Sequence, residues 1–149
     1  MSFKQKIVQH HLVLLQDKID VFRDMITNLT IDAQNDAKGS AGDKHETALS
    51  MMHLEQEKLN YKLQEYLFQK SILDKIDPSR NHVNITLGSL VKANEMHLFI
   101  SAALPKITID SKTIIALSPK SPLGAKLMGQ SAGFKFEING SQFVITAVE

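Results

Sequence analysis

The sequence predicts an α+β protein: an antiparallel two-helix coiled-coil hairpin followed by a small antiparallel β domain with one short helix. Three observations lead there. The first 77 residues contain no proline, and their only glycines are Gly39 and Gly42, so this stretch leaves helix at one place only. Apolar residues recur at heptad spacing on both sides of that place. Beyond Asp77-Pro78 the pattern turns to short β runs separated by turn residues.

In the first arm Val8, Leu12, Leu15, Ile19, Phe22, Ile26, Leu29 and Ala33 follow one another at alternating steps of four and three, an unbroken a/d seam. Asp17, Lys18, Asp20, Arg23 and Asp24 flank it as a solvated face. The same phase continues after the glycines over Met52, Gln56, Leu59, Leu63, Tyr66, Lys70 and Leu73. Gln56 and Lys70 make that second seam less apolar. Met51 and Met52 together read as seam packing. The short connection makes the arms antiparallel, and about 30 residues per arm give a rod on the order of 45 Å long. So thin a rod has no room for a globular active site, and its length suits reaching.

Pro78 ends the second helix, since the residue before a proline is driven out of helix and the proline cannot continue the ladder. The expected division is therefore 1–77 for the hairpin and 79–149 for the β domain. In the latter, Val83–Lys92 with Met96–Ala102 reads as a strand pair, Thr113–Leu117 as a third strand, and Phe134–Ile138 with Gln142–Val148 as a hairpin closed by Asn139-Gly140. Pro122–Met128 is expected as a short helix, with Ser121 as N-cap, Pro122 at the first helical position and Gly129 closing it.

Composition narrows the function classes. The formal net charge of +1 speaks against a general nucleic-acid coat. Residues 1–78 carry 10 Lys+Arg against 12 Asp+Glu, and residues 79–149 carry 7 against 4. The resulting contrast of −2 and +3 is mild. Cysteine is absent, which excludes disulfides, thiolate metal sites and a cysteine nucleophile. No apolar run is long enough to span a membrane, and Met1-Ser2-Phe3-Lys4-Gln5-Lys6 lacks a secretory pattern. The expected location is cytoplasmic.

The break between the arms, residues 39–48, carries two carboxylates, Asp43 and Glu46. Asp-x-x-Glu ahead of a helix is the pattern of a capping box, in which Asp43 accepts from backbone N–H groups and Glu46 reaches back. A capping carboxylate keeps a second oxygen that can point outward. His45 stands between them with no histidine at helical metal spacing. Ser118-Pro119-Lys120-Ser121-Pro122 lacks the glycines of a phosphate loop. Lys4, Lys6, Lys18 and Arg23 read as a solvated face.

Two segments carry a resemblance. Gly42-Asp43-Lys44-His45-Glu46-Thr47-Ala48 at the hairpin tip, and Ser121-Pro122-Leu123-Gly124-Ala125-Lys126-Leu127-Met128-Gly129-Gln130-Ser131-Ala132-Gly133 in the β domain, resemble the bacterial Gre transcript-cleavage factors. That family usually has lysine and aspartate where this chain has Gln130 and Phe134. The resemblance implies an FKBP-like β domain that docks on RNA polymerase through Ser121, Pro122, Leu123 and Gly124, and a coil that enters the secondary channel. It implies that Asp43 and Glu46 are the catalytic, metal-holding carboxylates, sharing a Mg²⁺ with the polymerase and promoting cleavage of backtracked RNA near its 3′ end. Some of the first-helix lysines would then face RNA phosphates. The factor would be an accessory protein without turnover of its own, with no membrane partner, and self-association through the coil is left open. Three rival readings follow from the same residues: a channel-binding regulator that does not cleave, a prolyl isomerase, and a plain coiled-coil adaptor. The isomerase would need an aromatic-lined pocket, for which residues 79–149 offer no Trp or Tyr and only Phe99, Phe134, Phe136 and Phe143.

Overall fold

The computed structural model describes the backbone of residues 1–39 and 43–149 and the side chains of residues 1–35 and 46–149. The protein is α+β, with two helices, α1 (Phe3–Gly39) and α2 (Asp43–Asp74), followed by six strands and one short helix. Two compact units make it up: Val13–Lys70, and Met1–Leu12 together with Ser71–Glu149.

In the Val13–Lys70 unit the helices run antiparallel. Phe22 on α1 meets Tyr66 on α2 edge to face at 5.4 Å, while further along α1 Thr30 accepts a hydrogen bond of 2.7 Å from Gln56, nearer the start of α2. The heptad phase is the packing seam. Leu15, Ile19, Ala33, Leu59 and Leu63 are buried, and Phe22, Ile26, Leu29, Met52, Gln56, Tyr66 and Lys70 are half-buried. Gln56 is tolerated there because its amide finds the Thr30 hydroxyl, which itself donates to the Ile26 carbonyl at 3.0 Å. Met51 departs from the expected seam: it is 66% exposed, and Met52 alone packs inward.

The other unit is built on a six-stranded sheet of β1 (Leu90–Ala93), β2 (Met96–Ile100), β3 (Ile107–Ile109), β4 (Lys112–Leu117), β5 (Lys135–Ile138) and β6 (Ser141–Val148), in the order β3-β4-β2-β1-β6-β5. The sheet is mixed, which corrects the expectation of a purely antiparallel one, since β2 and β4 are parallel. The cause is β3. It reverses the chain once more between β2 and β4, so the second reversal restores the direction of β2. The expected strand from Val83 also begins later, at Leu90. Gly88 lies at φ +89, and Ile85 exchanges backbone hydrogen bonds with Gly129 and Gln130 rather than with a neighbouring strand.

The β5–β6 turn is as read from the sequence. Asn139 and Gly140 lie at φ +49 and +83, joining Ile138 to Ser141 in a two-residue primed turn. Helix α3 (Pro122–Leu127) lays Leu127 against Ile85, Val91, Ala93, Leu98, Ile100, Phe136 and Ile145, the core of the unit.

The first turns of α1 belong to this unit. Ile7, Val8, His11 and Lys4 are all buried. Lys4 is thus not part of a solvated face: its ammonium donates to the Arg80 carbonyl at 2.7 Å. Burial pulls its pKa below the ordinary lysine value, an effect opposed by the Glu149 and Asp77 charges. Lys6 is paired with Asp110 at 3.0 Å. Among the described residues no helix is long and apolar enough to cross a membrane.

Candidate functional site

Helix α2 opens at Asp43, and Glu46 stands exposed in its first turn. Ser40, Ala41 and Gly42, and the side chains of Asp43, Lys44 and His45, lie outside the described residues, so the capping-box geometry falls outside them too. Just behind this end a groove is lined by Leu29, Asp32 and Ala33 of α1 and by Ala48, Met51, Met52 and Glu55 of α2. Asp32 and Glu55 are exposed on its rim and extend the acidic character of Glu46 along the pair. No three His, Asp or Glu side chains gather into a metal-holding group among the described residues. Carboxylates presented this way hold Mg²⁺ firmly only when further oxygens come from elsewhere.

The second motif is explained largely by backbone requirements. Ser121 caps α3: its Oγ accepts from the Gly124 N–H at 3.0 Å and donates to the Ser118 carbonyl at 2.7 Å. Pro122 occupies the start of the helix, where its missing N–H costs nothing. Gly124 is buried, and a Cβ there would lie 1.9 Å from the Ser118 carbonyl oxygen. Gly129 and Gly133 take φ of +82 and +100. On the surface of the segment the Pro122 ring is exposed, Ser121 and Leu123 are half-buried, and Gly124 is buried.

A further cleft was not foreseen. Phe3, Leu90, Lys92, His97, Lys112, Ala147 and Glu149 line it. Lys92 and His97 are directly opposed in the β1–β2 register. The Lys112 ammonium sits 5.0 Å from the centre of the Phe3 ring, which meets the His97 ring edge-on at 6.2 Å. Burial, then the Lys112 and Lys92 charges, lower the His97 pKa, while Glu95 and Glu149 pull the other way. Two ammonium groups beside a neutral imidazole suit an acidic side chain or a phosphate, with the Glu149 carboxylate limiting the net positive potential. The sequence signal was the two-residue turn Asn94-Glu95, which fixes Lys92 opposite His97 once β1 and β2 are paired.

No protein-family model matches the chain, and no curated protein matches it.

Proposed function

We propose that this chain is a Gre-like accessory factor of bacterial RNA polymerase, which brings Asp43 and Glu46 to the polymerase active centre and stimulates Mg²⁺-dependent cleavage of backtracked RNA. The observation that carries the reading is the start of α2. Two carboxylates three residues apart open one arm of a well-packed antiparallel helix pair, Glu46 exposed, on a scaffold too thin to enclose a substrate. Such acids act by completing a site in another molecule. Mg²⁺ keeps several of its waters and accepts a few hard oxygens, so two carboxylates added to ligands of the polymerase would hold the ion and orient the attacking water. The chain would supply no turnover by itself.

The sheet and its single helix are read as FKBP-like, and the surface around Pro122 as the docking face. A prolyl isomerase is the weaker reading, because the aromatic residues such a pocket would use are committed to packing. Phe99 is fully buried, and Phe134, Phe136 and Phe143 stack on one another at 5.5 to 6.4 Å.

The test is the cleavage rate of a stalled, backtracked complex at saturating protein and varied Mg²⁺. Asp43→Asn and Glu46→Gln keep the capping chemistry and remove the charge. Both should nearly abolish stimulated cleavage while still binding polymerase. Wild-type rates from both would leave the tip as a structural cap and move the protein to the class of channel regulators that do not cleave.

A further inference from the structure

Helix α2 is apolar on two faces. Leu54, Tyr61 and Phe68 repeat every seven residues, two positions on from the seam residues Met52, Leu59 and Tyr66, which turns them about 200° away from α1. They are 62, 71 and 63% exposed. The stripe lies wholly within the Val13–Lys70 unit. Three large apolar side chains in one row are more than the scattered exposure normal for a surface helix.

We infer that this stripe is the interface for a second copy of the chain, packed antiparallel about a two-fold axis at Tyr61. The spacing is self-complementary: such an axis places Tyr61 against its own copy and Leu54 against Phe68 of the other chain. The flanks are compatible with this pairing. Lys58 and Glu65 lie on one side of the stripe, Glu57 and Gln64 on the other, and all four are exposed. In an antiparallel pair each flank meets the same flank of its copy, so Lys58 of each chain faces Glu65 of the other, and Glu57 faces Gln64. Opposite charges meet twice, and no like charges meet. Glu65 already lies 3.3 Å from Lys62 of its own chain, an exposed pair that a second lysine can join through the other carboxylate oxygen. The inference stands independently of the polymerase reading.

Sedimentation equilibrium of the full chain tests it, over about 5 to about 500 µM, where so small an interface dissociates. The expected result is a reversible monomer–dimer equilibrium. Tyr61→Glu should be monomeric with its far-ultraviolet helix signal unchanged. Lys58→Glu should weaken the dimer about tenfold by opposing Glu65 twice, and Lys58→Glu combined with Glu65→Lys should restore it. If Tyr61→Glu loses its helix signal, the charge-swapped pair carries the test alone. A wild-type chain that stays monomeric throughout overturns the inference, as does a dimer indifferent to Tyr61→Glu. Rescue of Lys58→Glu by Glu57→Lys in place of Glu65→Lys would mean parallel pairing and overturn the geometry. A monomer whose Tyr61→Glu variant instead loses polymerase binding gives the stripe to that partner and overturns self-association.

Discussion

Among the described residues, His11 has a large electrostatic consequence. Its ring is 1% exposed and stacks on Phe99 at 6.4 Å, and among the described residues neither ring nitrogen has a partner in hydrogen-bond geometry. Burial, with a smaller contribution from His10, pushes its pKa down to about 4, outweighing the opposing pull of the Pro105 backbone. The unfolded chain, with an ordinary histidine near 6.5, binds the proton more readily. Stability is therefore fully present above pH 6.5 and falls as the pH drops toward 4, by roughly 2–3 kcal/mol from this group. Urea titrations at pH 7 and pH 4.5 should show that loss, and His11→Leu should remove most of the dependence. Gly124 makes a steric prediction at the same scale. Gly124→Ala should cost about 3 kcal/mol, because the new methyl meets the Ser118 carbonyl, whereas Gly129→Ala should cost only about 1–2 kcal/mol of backbone strain. Thermal denaturation of the two variants would separate close contact from positive φ.

Among the elements, the α1–α2 pair carries a polar contact within its apolar seam, from Gln56 to Thr30. Gln56→Leu should raise the stability of the pair by about 1 kcal/mol, since a half-buried amide gives way to a seam leucine and Thr30 retains its bond to Ile26. A double-mutant cycle with Thr30→Val would measure the side-chain coupling itself. This seam was legible in the sequence because helix periodicity is local, and so were the Asn139-Gly140 turn and the Ser121–Pro122 start of α3. Strand β3 was not. Its turn, Asp110-Ser111, has the positive φ values of a primed turn without the glycine that signals one, and the parallel β2–β4 pair follows from that missed strand. Lys4 and His11 escaped for another reason: their neighbours Arg80 and Phe99 come from far along the chain, and a helix surface shows nothing of what will cover it. Of the candidate site, the acids at the start of α2 were named directly. The cleft of Lys92, His97 and Lys112 was not, because separate segments assemble it.

For the molecule as a whole, the compact unit containing the sheet includes residues from both ends of the described sequence. Deleting residues 1–12 should uncover the Phe99 region and remove the buried Ile7 and Val8. The resulting cost should be several kcal/mol, of the order of two large core truncations. Denaturant unfolding followed by a probe of the β domain would check this, and an unchanged midpoint would sink it.

That discontinuous unit also makes one order of events less costly during folding. During synthesis the first turns of α1 emerge long before Phe99 exists to receive them. Closing His11 directly onto Phe99 means ordering a long intervening loop. If α1 and α2 zip together first, Leu12 is brought near the end of α2 and the remaining loop runs only from there to β2, which lowers the closure entropy by on the order of 1 kcal/mol. The hairpin then acts as a tether that presents the amino-terminal segment to the sheet. Substitutions that loosen the Phe22–Tyr66 or Thr30–Gln56 contacts would thus slow completion of the β domain.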